Sequence, residues 1–493
     1  MKMKLATASK DALQDLAERV RAELKMMDYA TKPWVEPRVD DNGRPMLDVV
    51  VIGAGQSGLA VGHALQRRGV SNILLLDGSP EGKEGVWGTF ARNYEIRSPK
   101  DITGTELGLP SLSIQSFYEA KYSPQAWDEI KRIPRLEWLH YLQWYRSVVD
   151  LPIRNNAQVM DIDYDRDGVT VSLTDGEAIR ARLVVLATGM DGGGAWRVPD
   201  NISKSLPRER YDHSSDIFDE TKLKGKNVGI LGSGAAAFDV AVAALTAGAA
   251  RVDMCLRGPR MPMIDIVREG ETAGHLNHSH EIPDQMKWDL AGFRAGLRQS
   301  PAEHHFFKAC SYPNFVIHVN AGWDEIGLDG DDIVVRTSEK TFRFDHVFAA
   351  TGVTVDMGLR PELNKIAANA ALWKHRFTPP NNEGLGRLNF PYLNANYQFI
   401  EREPGLAPGI DRIFAYNALS SMSMGIAGAV SISAMKYAVP RVASAVTGFL
   451  FKEQEANLID FFASFRTPSI TFPPHVRLML GMPADGEQET AAS

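Results

Sequence analysis

Cysteine is almost missing. The 493 residues carry two, Cys255 and Cys310, far apart and in no CxxC pair. That excludes a disulfide framework, a cysteine-rich zinc site and a dithiol redox centre together. Two thiols in so long a chain fit a reducing compartment. Basic charge is not in excess either: the net charge is −7, which speaks against a nucleic-acid partner, since that calls for a basic face. Long apolar runs are also lacking. The N-terminal MKMKLATASKDALQDLAERVRAELKMM is broken by Lys and Asp and holds no core of signal-peptide length. The most apolar late stretch, Met424 to Ala434, is too short to cross a bilayer and is followed by Lys436. The expectation is a cytoplasmic protein without a membrane span.

What is present is an ordinary soluble composition, 44% apolar and 23% charged. At roughly 100–200 residues per domain, two or three structural units are expected. Residues 1–47 read as a polar extension, with Leu13, Leu16, Val20 and Leu24 at helical spacing in a surface helix that clasps the body. A turn-rich linker follows at Asp40, Asp41, Asn42, Gly43 and Pro45.

The pattern then changes. Asp48–Ile52 is a short Val/Ile run of the kind that makes a buried parallel strand. It leads into Gly53-Ala-Gly55-Gln56-Ser57-Gly58, a helical stretch from Leu59 to Arg68, and a second apolar run, Ile73–Leu76, ending at Asp77-Gly78. The same order returns later. Val228–Leu231 leads into Gly232-Ser233-Gly234-Ala235-Ala236-Ala237, a helical stretch from Phe238 to Ala247, and Val252–Leu256, ending at Arg257. A lone GxGxxG is weak; one that follows a strand and opens a helix is a dinucleotide site. The first glycine makes the turn, the second admits a pyrophosphate, and the third lets helix pack on strand. The helix N-terminus offers free N–H groups to the phosphates.

The second-strand ends differ. Asp77 stands 24 positions beyond Gly53, where an acid accepts from a ribose 2′-OH, as FAD requires. Arg257 stands 25 positions beyond Gly232, where no acid is found, and Arg260 is close by. Two cations suit a 2′-phosphate, so NADPH is expected, with NADH as the alternative. Two further strands end alike, in Ala187-Thr188-Gly189 and in Ala350-Thr351-Gly352. They bracket the second glycine unit, so that unit reads as an insertion. The expected fold is α/β, with two Rossmann-like domains, the NAD(P)-binding one inserted into the FAD-binding one. The FAD-binding domain covers 48–203 and 346–445, the NAD(P)-binding domain 204–345, and a tail 446–493, whose last residues, ADGEQETAAS, read as disordered.

The sequence of GxGxxG, acid, Gly85-Val86-Trp87, ATG, GxGxxA, Arg and ATG resembles the two-dinucleotide-binding-domain flavoproteins. Within them it is similar to the class B flavin-containing monooxygenases, over about residues 48–440. The resemblance implies that Gly85, Val86 and Trp87 lie along the flavin, with Glu84 where the family has glycine. It implies that Thr188, Gly189, Thr351 and Gly352 border the cofactors. It puts Arg97-Ser-Pro-Lys100-Asp101 beside the isoalloxazine, where relatives carry Asn-Thr-x-Lys or Lys-Asp-Leu. Ile133-Pro-Arg135 and the stripe Trp138, Tyr141, Leu142 and Tyr145 match a supporting helix, the stripe being core. His213 takes the histidine place of the FxGxxxHxxx(W/Y/F) fingerprint, whose Phe and Gly are absent and whose aromatic, Phe218, comes one step late. Arg412–Ala415, Tyr416-Asn417 and Ser420 to Gly428 match the final FAD segment.

The implied reaction takes a hydride from NADPH to flavin N5 and forms a 4a-(hydro)peroxide with molecular oxygen. That species oxidises amines or sulfides when protonated and carbonyls when ionised. A cation at Arg97 or Lys100 favours the ionised form. The substrate is a small molecule, and the sequence leaves the choice among N-, S- and Baeyer–Villiger oxygenation open. An oxygen-independent NAD(P)H:acceptor reductase and a non-catalytic flavin-binding sensor remain alternatives. The run His275, His278, His280 lacks the spacing of a helical zinc site and reads as a polar loop at a substrate mouth. His304-His305 is read in the same way. Oligomeric state is not legible.

Overall fold

The computed structural model describes residues 10–27, 33–101, 104–425, 431–467 and 469–482. It divides into two compact units, Met1–Thr447 and Gly448–Ser493. The larger is built on two sheets. In the first, β1 (Leu47–Ile52), β2 (Ile73–Leu76), β3 (Ile153–Arg154), β4 (Val159–Tyr164), β5 (Val169–Leu173) and β6 (Ala178–Leu186) lie in the order β3-β2-β1-β6-β5-β4. The strands β3, β2, β1 and β6 are parallel, and β5 and β4 form an antiparallel flank.

The chain leaves this sheet through β7 (Gly194–Trp196) and builds a second one from β8 (Tyr211–His213), β9 (Asn227–Leu231), β10 (Arg251–Cys255) and β11 (Phe315–His318). A three-stranded antiparallel sheet follows, made of β12 (Glu325–Asp329), β13 (Asp332–Arg336) and β14 (Thr341–Phe344). Then β15 (His346–Ala349) completes the second sheet, all parallel, in the order β11-β10-β9-β15-β8. The chain returns through β16 (Val353–Val355), antiparallel to β7, and β17 (Ile413–Ala415) rejoins the first sheet beside β6. The second sheet is therefore inserted between β6 and β17, and its two connections pair into a ribbon.

Both glycine turns are built alike. Gly53 N donates to Leu76 O at 2.7 Å and Ala187 N to Ile52 O at 2.8 Å. Gly232 N donates to Cys255 O at 3.0 Å and Ala350 N to Leu231 O at 2.9 Å. Each ATG segment thus lies beside the first glycine of its own turn. The helices begin earlier than the apolar pattern suggests, at Gln56–Gln66 and Ala235–Thr246. The correction has a simple cause: Gly55 and Gly234 are the N-caps, so the turn residues themselves form the first helical turn and present its free N–H groups.

The N-terminal helix, Lys10–Met27, buries Leu16 and Val20. Among Trp138, Tyr141, Leu142 and Tyr145 on the helix Arg135–Val149, none is more than 6% exposed, so this stripe is core. The smaller unit holds two short helices, Leu458–Ala463 and Pro474–Met479, and three exposed phenylalanines, Phe461, Phe462 and Phe465, packed on one another. The segment ADGEQETAAS lies outside the described residues. Among the described residues no helix is long and apolar enough to cross a membrane.

Candidate functional site

A cavity of about 320 Å³ opens between the two glycine turns. Gln56 lines it from one side and Ala235 and Ala236 from the other. A loop carrying Val86, Trp87 and Arg97 forms a wall. This loop is held from beneath by the segment that precedes the aromatic helix. The Arg135 guanidinium donates to Trp87 O and to Asn93 O, and Arg132 donates to Arg97 O. Gln56 Oε1 accepts two indole donors, Trp87 Nε1 at 2.9 Å and Trp138 Nε1 at 3.1 Å. That fixes the Gln56 side chain at the cavity edge.

A second cavity, of about 230 Å³, runs by the first turn, lined by Ala54, Gly55, Glu84 and Arg146 among others. A Cβ on Gly55 would stand 3.4 Å from Gly85 Cα, so the Gly-Val-Trp turn and the glycine turn face each other closely. Glu84, where the family has glycine, is tied down: it accepts from the Arg146 guanidinium and from Asn155 Nδ2. Asp77 directly follows β2, with Oδ2 accepting from Ala54 N and Oδ1 from Ser79 N, both at 2.8 Å. It shapes the turn as well as offering a carboxylate at its mouth. Gly78 packs on Gln158, and a Cβ there would meet Oε1 at 2.4 Å.

At the other end, Asn417 Nδ2 donates to Thr188 Oγ1 at 2.9 Å, and Ala418 N donates to Gly189 O at 3.1 Å. The continuation matched to the final FAD segment passes through 426–430, outside the described residues. At the second turn, Ser233 and Ala237 are buried. Arg257 and Arg260 are both exposed, with no hydrogen bond or ion pair to the described residues. Thr351 Oγ1 donates to Arg197 O, and Arg197 N to Gly352 O, which ties the second ATG to the connecting ribbon.

The four residues expected at the reacting end are not brought together. Arg97 lines the cavity, but Asp265 matches its charge at 2.6 Å and Ser300 O accepts from it at 3.0 Å. Burial raises the Asp265 pKa, yet Arg97, Gln299 and the Arg268 amide outweigh this and hold it below the usual carboxylate range. The cation expected at Arg97 is present at the cavity wall, with its charge matched by Asp265. Lys100 turns the other way, donating to Trp127 O at 2.7 Å over the Trp127 ring. Asp101 is exposed. His213 is buried and stacked on Trp196 of the ribbon at 5.4 Å, with Nδ1 accepting from Ser215 N. Burial pulls its pKa down against the opposing pull of Asp216 and Gly352, so the ring is neutral at pH 7. Its neighbours Ser214 and Ser215 line the cavity instead.

Sequence reasoning missed Asp239 and Asp265. Asp239 lines the cavity from the second glycine-turn helix. His305, fully buried, donates to it from Nδ1 while Nε2 accepts from Tyr94 N at 3.1 Å. The only available signal was a carboxylate one turn into the helix, which many helices carry. The histidine run is also corrected: residues Ala273–His278 are helical, not a loop, because Thr272 caps them. His275 lines a further cavity, His278 meets Glu281 at 3.0 Å, and His280 meets Arg441. Among the described residues no group of three His, Cys, Asp or Glu side chains is placed to hold a metal.

A family model described as pyridine nucleotide-disulphide oxidoreductase matches residues 50–266. The FAD-dependent urate hydroxylase of Xanthomonas campestris pv. campestris is 37% identical over 457 residues, 92% of this chain and 96% of that protein. The chain belongs to the class B flavin-dependent monooxygenases. Solved structures share this monooxygenase's fold. The ornithine hydroxylase of Pseudomonas aeruginosa superimposes with TM-score 0.64 at 17% identity, over 82% of this chain and 100% of that one. The cadaverine monooxygenase of Erwinia amylovora gives 0.62 at 17%, over 82% and 95%. The disulphide chemistry named in the family model has no counterpart in this monooxygenase: Cys255 is buried, Cys310 is exposed, and both are free.

The Arg97–Asp265 pair sits where a charge change alters the cavity wall without touching either glycine turn. Arg97→Ala is expected to keep its FAD and to lower product formed per NADPH consumed, roughly threefold or more, because positioning of the reacting partners is lost. Hydrogen peroxide released per NADPH is the measurement, and unchanged coupling would remove Arg97 from the reacting end.

Proposed function

We propose that this chain uses FAD, NADPH and molecular oxygen to hydroxylate urate or a closely related purine. The similarity to the urate hydroxylase carries this reading, because it extends over 96% of that protein and so takes in substrate-facing segments as well as cofactor turns. In the balance, NADPH gives two electrons, one oxygen atom joins the substrate and the other leaves as water. FAD, when bound, supplies the two-electron and oxygen chemistry.

The chain's own residues bind, orient and shield. In this reading the FAD-binding domain is 48–203 with 346–445. Gly53, Gly55, Ser57 and Gly58 take the pyrophosphate, Asp77 and Gly78 the ribose, and Gln56, Gly85, Val86 and Trp87 the ring side. Thr188, Gly189 and Asn417 close the far end. The NADPH-binding domain is 204–345, where Gly232, Ser233, Gly234, Ala235 and Ala237 take the pyrophosphate. Thr351, Gly352 and His213 brace the passage between the two domains. The apolar wall of the cavity excludes water from the reacting end. The reducing compartment implied by two free thiols is the cytoplasm.

Purified full chain loaded with FAD is to be given NADPH and urate. Urate should accelerate NADPH oxidation and disappear one-for-one with it. Urate that neither accelerates the reaction nor is consumed removes the substrate reading. The cofactor reading has its own test. Arg257→Ala should lower kcat/KM for NADPH roughly 10- to 100-fold, the effect of losing a charge-assisted contact. The value with NADH should move far less. An equal fall with both nucleotides would place the 2′-phosphate elsewhere.

A further inference from the structure

A cavity of about 370 Å³ lies against the helix Asp284–Leu297, and none of its lining residues belongs to either glycine turn. Part of its wall is apolar, with Ile266, Leu290, Phe390 and Met422. Its charged lining has one sign: Lys287, Arg294, Arg298 and Arg387, with no carboxylate among the described lining residues. Lys287 has a partner in Asp284 at 3.3 Å, and Arg387 stacks on Trp288 at 4.1 Å. Arg294 has none. It is half-buried, and its side chain makes no hydrogen bond or ion pair among the described residues. Burial alone pushes its pKa down to about 10, so it stays charged at neutral pH. Beside it, the buried Nε of Arg387 also lacks a hydrogen-bond partner among the described residues. A guanidinium drawn out of water without a partner is destabilising, and an anion in the cavity would offset that.

This cavity is linked to the one between the glycine turns by a chain of polar contacts. Gln299 lines it and donates to Asp265 Oδ1 at 2.9 Å; Asp265 pairs with Arg97, which lines the other cavity.

We propose that this cavity is the substrate chamber and that Arg294 binds the anionic edge of a planar organic substrate, with Arg387 beside it. The inference rests on the monooxygenase reading above and gives its substrate class: a flat anion, as urate is at neutral pH. The planar fork of a guanidinium matches two acceptors on one edge of such a molecule.

The test uses the FAD-loaded full chain, wild type, Arg294→Gln and Arg294→Lys. Two probes of equal size, benzoate and benzamide, are titrated while the flavin spectrum is followed, and urate turnover is measured in parallel. Benzoate should perturb the spectrum and benzamide should not. In Arg294→Gln the benzoate response should vanish, and KM for urate should rise roughly 30-fold, with a much smaller change in kcat. Arg294→Lys should fall between. Should Arg294→Gln fail to hold FAD, Arg294→Lys decides, and an unchanged KM there overturns the inference. Urate turned over by Arg294→Gln with wild-type KM overturns it too, while leaving the urate reading intact. An Arg294-dependent benzoate response without urate turnover supports the anion chamber and removes urate as substrate. Benzoate and benzamide behaving alike overturns the chamber.

Discussion

Gly53→Ala is expected to yield protein without flavin. Gly53 has φ +101°, in the region that side chains avoid, and an added Cβ would stand 2.5 Å from Ala187 O. That oxygen is backbone, held in place because Ala187 N donates to Ile52 O. It has no rotamer to escape into. The left-handed conformation alone costs about 1–2 kcal/mol, and relief of the clash must open the turn. Opening it moves the N-terminus of Gln56–Gln66, whose free N–H groups the proposed reading gives to the phosphates. A combined loss of about 3 kcal/mol corresponds to two decades in FAD affinity. Absorbance at the flavin band relative to protein is the measurement; a variant purified with one FAD per chain would show that this turn is not the FAD site.

Gly232→Ala should behave in the opposite way, remaining yellow but resisting reduction by NADPH. Gly232 has φ +141°, and its Cβ would stand 2.4 Å from Ala350 O, the same contact in the inserted sheet. The first sheet and its turn are untouched, because every strand of the second sheet lies between β6 and β17. Anaerobic flavin reduction by NADPH should slow by about two decades, whereas dithionite should still bleach the flavin fully. Loss of FAD from this variant would mean that the two turns do not serve separate nucleotides.

Much of this architecture is written locally. Asp48–Ile52 with Gly53–Gly58, and Val228–Leu231 with Gly232–Ala237, each place strand, turn and helix within a few residues. The physics that makes them is sterics at φ > 0 and the free N–H groups of a helix start. Such signals need no distant partner. The helices start three residues before the apolar period, at Gln56 and Ala235, because the hydrogen-bonded turn precedes the first buried side chain of the period. The polar run His275–Asp284 looks like a loop in sequence, whereas the Thr272 cap starts a helix over Ala273–His278.

The reacting end was less legible, and the reason is distance along the chain. Arg97 and Asp265 are separated by 168 positions and Asp239 and His305 by 66. No periodicity or spacing rule links such pairs. Whether a cation is free or matched depends on which segment the fold lays against it, and the sequence around Arg97 does not show Asp265 as its partner. The same holds for Lys100, whose partner is a backbone carbonyl at Trp127.

The sequence by itself determined the two glycine turns, the acid and the arginine after their second strands, and the nesting of one sheet in the other. The turns follow from short-range geometry at the glycines, and the nesting from two like strand ends that bracket the second turn. Only the tertiary structure decided which charges are paired, that His213 stacks on the ribbon instead of lining the cavity, and that the Arg294 side chain has no counterion among the described residues. Those depend on burial and on contacts between distant segments, because an ionic group acquires its energetic meaning from what surrounds it once water is gone.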